Sequence, residues 1–292
     1  MKPKGKVKVA FQGEPGAYSE AAALAYFGDQ SVTTPCHAFE DVFAAVEAGT
    51  SEYGILPIEN SLAGSIHRNY DLLLEHNLHI VGEYFLRVHH CLIALPGAAL
   101  EDIRKIISHP QALAQCERYL RSLPGVTSEA VYDTAGSVRL IREQGDPHVA
   151  AIASSRAAVV YGLPILVEGI EDHPSNFTRF LAVALQPVDT SSEAKTSIVF
   201  TLRNLPGALY KALSVFALRD IDLCKIESRP LVGQPWEYLF YIDFAGHIND
   251  VPCVRALDHL REMALFLRVL GSYPRHRIQS DLERGLDAHP KQ

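Results

Sequence analysis

The sequence has no long apolar run, and no stretch approaches the roughly 20 residues that a membrane-spanning helix needs. Its basic start is followed by Val7–Phe11, a segment that is too short for a signal-peptide core and predicts a first β-strand instead. We therefore expect neither a targeting segment nor a membrane partner. A net charge of −7 argues against a nucleic-acid partner.

Paired cysteines are also missing. The five cysteines are odd in number, scattered, and never form a CxxC sequence. They are Cys36, Cys91, Cys116, Cys224 and Cys253. This pattern is typical of reduced thiols and predicts a cytoplasmic protein.

Signatures of metal and nucleotide sites are absent too. The close pairs His76/His79 and His89/His90 have no acidic or cysteine partner at ligand spacing, so we expect structural or exposed roles for them and no metal site. The loop around Gly13 and Gly16 matches neither GxGxxG nor GxxxxGK[ST]. We expect no cofactor.

The first two-thirds of the chain alternates strand-like and helix-like segments. Val7–Phe11 has apolar residues with period two, and an alanine-rich helical stretch, Ser19–Phe27, follows a glycine loop. Such alternation predicts an α/β architecture with largely parallel strands. Five polar clusters follow predicted strands: Gln12–Ser19, Glu59–Ser65, Ser108–Gln115, Asp133–Ser137 and Asn176–Arg179. Since ligands bind outside the carboxyl ends of such strands, these clusters predict a ligand cleft.

The composition changes near residue 187, where a polar stretch without periodicity predicts a linker over 187–195. Beyond it, the pattern strand–helix–strand–strand–helix–strand predicts a ferredoxin-like βαββαβ domain over 196–274. The charged tail, 275–292, lacks an apolar face, and we expect it to be mobile. The first domain then covers 1–186.

Seven segments, in order, resemble the prephenate dehydratases and the related arogenate dehydratases that carry a C-terminal ACT domain. They are Gln12–Glu20, Pro57–Ser61, Ser108–Leu113, Tyr132–Ser137, Asn176–Phe180, Pro206–Leu209 and Glu227–Pro230. The resemblance implies a catalytic domain of two α/β subdomains, like a type II periplasmic-binding protein, joined to the ACT domain. It also implies loss of CO2 and water from prephenate to give phenylpyruvate, without a cofactor.

Candidate catalytic residues follow from the needs of this reaction, in which hydroxide must leave and two carboxylates must be held. Thr178 matches the family's Thr-Arg-Phe motif and is the first choice for the donor to the leaving hydroxyl, although a threonine that begins a strand is the plain alternative. Asn60 offers donors and an acceptor. Glu59 is either an acid with a pKa raised by burial or part of a polar loop. Ser108 and Gln115 bracket a helix start and could share one face.

Candidate substrate-binding residues complete the cleft. They are Ser19, Ser61, Thr134, Arg179 and Phe180. Arg179 can pair with a carboxylate in two hydrogen bonds, but strand alternation places it on the side opposite Thr178, so a structural role is open.

The ACT resemblance implies binding of L-phenylalanine between two such domains, and hence a homodimer or a dimer of dimers. The implied ligand residues are Asn204, Pro206, Gly207, Ala208, Leu209, Leu223, Glu227 and Ser228. A plain alternative is that the Pro206-Gly207 pair only starts a helix. For the whole chain, two readings rival a prephenate dehydratase: an arogenate dehydratase and a non-enzymatic solute sensor.

Overall fold

The computed structural model describes residues 6–190, 193–231, 233 and 236–277. Most of the predicted tail, 275–292, and residues 191–192 of the predicted linker lie outside this part. The described chain divides into two compact units. The larger unit contains the residues of 6–69 and 84–180, and the smaller unit contains 70–83 and everything from 181 onward. The smaller unit therefore includes a segment from early in the chain, which the sequence did not indicate.

The first sheet has the strand order β2-β1-β3-β11-β5, with the short β4 paired to β3. Its strands are β1 (Lys8–Gln12), β2 (Val32–Cys36), β3 (Tyr53–Asn60), β4 (Gly64–Ser65), β5 (His79–Arg87) and β11 (Phe177–Ala184). The helices between them are α1 (Tyr18–Phe27), α2 (Phe39–Glu47) and α3 (His67–Glu75). As predicted from the period-two pattern, β1 is a strand, and it runs parallel to β2 and β3. Parallel pairing brings the end of β1 and the end of β3 to the same edge of the sheet.

The second sheet has the order β10-β6-β9-β7-β8. Its strands are β6 (Cys91–Ile93), β7 (Lys105–Ser108), β8 (Thr127–Ala130), β9 (Val149–Ala153) and β10 (Ile165–Glu168). Its helices are α4 (Pro110–Gln115), α5 (Glu117–Arg121), α6 (Thr134–Gln144) and α7 (Ser155–Tyr161). The expected parallel arrangement holds for β7 with β8 and β9, but β6 runs antiparallel to β9 and β10. The prediction of two α/β subdomains is confirmed.

The alternation of strand-like and helix-like segments predicts a single helix over Gln111–Leu120, and this prediction is wrong because the helix breaks at Cys116. The carboxylate of Asp172 accepts hydrogen bonds from the Arg118 backbone N–H at 3.1 and 3.2 Å, as an N-cap does for a helix start. In turn, the Asp172 N–H donates to the Gln115 carbonyl at 2.7 Å. A residue more than 50 positions away therefore ends α4 and starts α5.

The third sheet has the order β13-β14-β12-β15, and its pairs are antiparallel. Its elements, in βαββαβ order, are β12 (Ala194–Leu202), α8 (Ala208–Ala217), β13 (Leu223–Pro230), β14 (Tyr238–Ala245), α9 (Val251–Met263) and β15 (Ala264–Pro274). The ferredoxin-like order predicted from periodicity is confirmed. However, β12 begins at Ala194, inside the stretch predicted as a linker.

Every residue of β12 is buried, so both faces of this sheet are covered. On one face, Ile198 and Phe200 pack with residues of α8 and α9, such as Phe216 and Leu257. On the other, the segment Tyr70–Glu83 provides the cover: a Cβ on Gly271 would lie 2.1 Å from the Ile80 carbonyl oxygen. The backbones approach so closely here that only glycine fits at this position.

Polar contacts attach the same segment to the sheet. Lys195 Nζ lies 2.7 Å from Glu83 Oε1, and both side chains are almost fully buried. Arg229 forms two hydrogen bonds with the Asp71 carboxylate, at 2.7 and 3.3 Å. Arg268 donates to the carbonyls of Leu74 and His76 at 3.1 and 2.8 Å, which satisfies the carboxyl end of α3.

The buried Lys195–Glu83 pair leads to a stability prediction. Lys195→Met should lower the free energy of unfolding by about 3–5 kcal/mol, since it leaves a carboxylate buried without its ammonium partner. The matched control is Arg277→Met, which removes the 2.7 Å pair of Arg277 with Glu193, whose side chains are 61% and 66% exposed. That change should cost no more than about 1 kcal/mol. Urea unfolding measures both values, and equal losses would contradict the assignment of the buried pair.

Candidate active site

A cavity of about 180 Å³ lies in the larger unit, where residues from the first sheet and its helices meet residues from the second. Its lining residues are Tyr18, Ser19, Pro57, Asn60, Ile66, Val88, His90, His109, Gln111, Ala112, Gln115, Thr134, Thr178 and Phe180. Six of the ten residues that the sequence proposed for the cleft are among them: Ser19, Asn60, Gln115, Thr134, Thr178 and Phe180. The chain thus brings together residues from five of its polar segments.

Both the oxygen and the nitrogen of the Asn60 side-chain amide, at the end of β3, have hydrogen-bond partners. Its Oδ1 accepts from the backbone N–H groups of Leu62 and Ala63 at 3.1 and 2.9 Å. Since backbone N–H groups only donate, the orientation of the amide is determined, and Nδ2 faces β11. There it donates to Thr178 Oγ1 at 3.0 Å and to Asn176 Oδ1 at 2.8 Å.

This arrangement decides what the Thr178 hydroxyl can do. Its oxygen accepts a hydrogen bond from Asn60, so its own hydrogen remains available for another acceptor. Thr178 lines the cavity and is 9% exposed. A bound molecule therefore meets a hydroxyl donor that is already held in place by a buried amide.

Ser61 strengthens the same junction between β3 and β11, although it does not line the cavity. Its N–H donates to the Phe177 carbonyl at 2.8 Å, and its Oγ accepts from the Phe177 N–H at 2.9 Å. Its hydroxyl donates to the Ser175 carbonyl at 3.1 Å. The structure thus places Ser61 as a support for Asn60 and Thr178 rather than against a ligand.

Three other predicted residues also lie outside the cavity lining. Ser108 ends β7, is fully buried, and donates to the Ile152 carbonyl at 2.6 Å, so it shares no helical face with Gln115. Glu59 lies in β3, where it pairs with Ser65 of β4. Arg179 is 5% exposed with its guanidinium 6.0 Å from the Phe85 ring centroid, on the side opposite Thr178, as strand alternation predicted.

Sequence reasoning missed the cluster of Tyr18, His90 and Gln115. His90 is 2% exposed, its Nδ1 lies 2.8 Å from the Tyr18 hydroxyl, and its Nε2 lies 2.9 Å from Gln115 Oε1. Burial lowers the pKa of His90 below its ordinary value, so the ring is neutral near pH 7. The structural role expected for His90 did not include a place in the cavity wall, and no spacing rule links three residues so far apart.

Two of the longer helices begin at the cavity. α1 starts at Tyr18 and has no side-chain cap, and α6 starts at Thr134 after Asp133, whose carboxylate accepts from the Gly136 N–H at 2.6 Å. Helix starts carry partial positive charge and favour anions. Among the described residues, those that line the cavity include no Asp, Glu, Lys or Arg. The cavity lining is therefore polar and free of acidic, lysine and arginine side chains among the described residues, with donors directed by helix geometry.

Gly16 lets the loop before α1 approach α7. Its φ of +92° favours glycine, and a Cβ there would lie 2.7 Å from Ala157 Cα. The Ser154 hydroxyl donates to the Gly16 carbonyl at 2.7 Å across the same contact. The glycine loop is thus a close packing contact that positions the start of α1.

The predicted phenylalanine residues lie in two places on the smaller unit. Pro206 and Ala208 line a separate cavity of about 340 Å³ at the start of α8. Leu223, Glu227 and Ser228 lie on β13, an edge strand of the third sheet, and do not line that cavity. In the single chain, the two sets do not form one site.

The described residues contain no helix long and apolar enough to cross a membrane, and they contain no group of three or more His, Cys, Asp or Glu that could hold a metal ion. The fold and the cavity define a protein with two α/β lobes around a small-molecule site, followed by a βαββαβ unit. Residues 9–188 match the model of the family described as prephenate dehydratase.

Known relatives agree with this match. The Arabidopsis thaliana protein named arogenate dehydratase/prephenate dehydratase 2, chloroplastic, is 53% identical over 281 residues, which cover 92% of this chain and 73% of the relative. The chain belongs to the prephenate dehydratase family, and some of its plant relatives carry both dehydratase names. It is therefore a dehydratase enzyme, and the reading as a non-enzymatic sensor is not retained.

Two solved structures are also similar. One is the prephenate dehydratase of Arthrobacter aurescens in complex with L-Phe, with a TM-score of 0.85, 31% identity, and coverage of 97% of this chain and 99% of that chain. The other, described as GqqA, a novel type of quorum quenching acylase, has a TM-score of 0.87, 38% identity, and coverage of 93% and 99%.

Proposed function

We propose that this dehydratase converts prephenate to phenylpyruvate with loss of CO2 and water, a step towards L-phenylalanine. The observation that carries the proposal is the Asn60–Thr178 pair in the cavity wall, with Nδ2 and Oγ1 3.0 Å apart. It provides a fixed hydroxyl donor in the cavity wall. A leaving hydroxide needs such a donor.

The reaction breaks two bonds between the cyclohexadiene ring and its substituents, and the ring itself stays intact. The bond between the ring and its carboxylate breaks to release CO2, the electron pair enters the ring, and the carbon–oxygen bond of the hydroxyl group breaks on the opposite side. The departing oxygen carries the developing negative charge. The Thr178 hydroxyl, whose oxygen accepts from Asn60, donates to that oxygen and lowers the barrier, and the hydroxide ends as water after protonation.

Two features favour prephenate over arogenate, the alternative substrate. Prephenate is a dianion with a side-chain keto group, whereas arogenate carries an ammonium group in its place. The described lining residues include no carboxylate to pair with an ammonium, and the starts of α1 and α6 favour negative charge. Arogenate is therefore expected to be the poorer substrate.

Turnover of both substrates tests the proposal directly. Purified protein in the presence of a chelator should convert prephenate with a higher kcat/KM than arogenate, because the described lining residues provide no carboxylate for the ammonium. The products are phenylpyruvate, measured by its enolate absorbance in alkali, and L-phenylalanine, measured by chromatography. A higher kcat/KM for arogenate would replace the first proposal with the alternative, and loss of activity with chelator, restored by a metal, would refute the prediction that no cofactor is needed.

The role proposed for Thr178 predicts a specific pair of effects. Thr178→Val keeps the shape of the side chain but removes the hydroxyl, and should lower kcat by roughly 10²–10⁴-fold, the usual contribution of a positioned donor. Thr178→Ser keeps the hydroxyl and loses a methyl group, so it should retain more activity. Thermal melting of each variant serves as the folding control. If the valine variant turned over like the wild type, Thr178 would be only a strand residue.

We further propose that the βαββαβ unit is an ACT domain that binds L-phenylalanine and regulates the enzyme, as the Arthrobacter aurescens structure binds L-Phe. The smaller unit exposes several large apolar side chains that a second copy could cover: Leu205, Tyr210, Leu218, Ile226, Trp236 and Leu265. The two predicted ligand segments, which do not meet in one chain, could meet across such a dimer. A homodimer or a dimer of dimers is the assembly expected from this arrangement, with the protein in the cytoplasm, where its five free cysteines stay reduced.

Phenylalanine binding can be tested with two matched glycine variants. Gly207 and Gly125 both have positive φ angles, +78° and +75°, and open space around them, so valine strains the backbone equally at the two sites. Gly207→Val should abolish the heat of L-phenylalanine binding in isothermal titration, while Gly125→Val should preserve it. Equal binding by both variants would place the effector site elsewhere. Deleting the chain from Glu193 is a poorer test, because it would uncover Glu83 and the Tyr70–Glu83 segment.

A further inference from the structure

The cavity wall contains a short chain of hydrogen bonds. It runs from the Tyr18 hydroxyl to His90 Nδ1 at 2.8 Å, and from His90 Nε2 to Gln115 Oε1 at 2.9 Å. The Tyr18 hydroxyl also lies 2.8 Å from the His89 carbonyl oxygen. All three side chains line the cavity.

The backbones of His90, in the middle of this chain, and of Gln115, at one end, are held by hydrogen bonds. The His90 N–H donates to Glu171 Oε2 at 3.0 Å, and the His90 carbonyl accepts from Gly169 and Ile170 at 3.0 and 3.2 Å. The Gln115 carbonyl accepts from the Asp172 N–H at 2.7 Å. With both backbones fixed, the freedom that remains is the rotation of the Gln115 side chain.

The direction of the hydrogen bonds follows from the atoms that face each other. A neutral imidazole carries one hydrogen, and the carbonyl oxygen of Gln115 can only accept, so that hydrogen is on Nε2. Nδ1 then acts as an acceptor, and the single hydrogen of the Tyr18 hydroxyl is shared between Nδ1 and the His89 carbonyl oxygen, each 2.8 Å from the hydroxyl oxygen. With Oε1 engaged by His90, the part of Gln115 left for a ligand is its N–H2 group.

We propose that His90 is a positioning residue for Gln115, holding its amide so that the N–H2 group, and not the oxygen, faces the substrate. This rests on the proposed function, because prephenate presents carboxylate oxygens that accept hydrogen bonds from an amide N–H2 group. If the hydrogen were on Nδ1, Gln115 would have to turn its oxygen into the cavity, where it would repel a carboxylate. His90 thus acts through Gln115, and Tyr18 acts through His90.

Two substitutions separate this role from simple packing. A glutamine side chain places its amide near the position of Nε2, so it can still donate to Gln115. An asparagine side chain reaches only the position of Nδ1, so it keeps the contact with Tyr18 and loses the contact with Gln115. His90→Asn should therefore lower kcat/KM by about 10–100-fold, as loss of a supporting partner commonly does. His90→Gln should lose clearly less. The assay is turnover of prephenate by the full chain, with thermal melting to confirm that each variant is folded.

A double-mutant cycle provides the second readout. In a Gln115→Ala background, His90→Asn should cause little further loss, since the group that His90 positions is gone. Tyr18→Phe, which removes one hydroxyl at nearly constant shape, gives an independent measurement if the His90 variants fold poorly, and it should also lose its effect in that background. Equal losses for the two His90 variants, or a loss that persists without Gln115, would overturn the inference while leaving the dehydratase function intact. A wild-type enzyme inactive on both substrates would overturn both.

Discussion

The side-chain amide of Asn60 is the constraint on which the active site depends. It connects the end of β3 to the start of β11 through Thr178 and Asn176, and its oxygen holds the turn at Leu62 and Ala63. A buried amide with this many partners cannot be replaced by a carboxylate or a methyl group without leaving donors or acceptors unpaired. The orientation of the Thr178 hydroxyl is therefore a property of the strand junction, and not of Thr178 alone.

Other residues of the cavity wall are also held in place by contacts between distant parts of the chain. Tyr18 and Ser19 come from the start of α1, Gln115 from the end of α4, and His90 from the segment before β6. The close contact of Gly16 with Ala157 positions the start of α1, and Asp172 ends α4 at Gln115. Neutral donors held this way can bind an anion without buried counter-charges, which avoids the desolvation cost of burying arginine or lysine.

The smaller unit illustrates how an early segment can complete a late domain. The third sheet has a conventional helix-covered face, but its other face is covered by Tyr70–Glu83. The buried Lys195–Glu83 pair and the Arg229–Asp71 pair join residues more than 100 positions apart. A regulatory ligand on β13 would therefore bind to a strand whose Arg229 is paired with Asp71 of α3. This helix follows the Asn60 turn along the chain.

Local pattern was enough to determine much of this protein. Period-two alternation in Val7–Phe11 predicted a strand of the first sheet, and the βαββαβ order after residue 187 predicted the third sheet. Both predictions were possible because a strand or helix must bury one face, and the spacing of its apolar residues shows which face that is. Motif order predicted six cavity residues, Thr178 and Asn60 among them. Tertiary structure alone decided the rest: that Ser108 donates to a backbone carbonyl, that Cys116 interrupts a helix, and that His90 is next to Gln115. These depend on hydrogen bonds between distant residues, and a hydrogen bond leaves no periodic mark in a sequence.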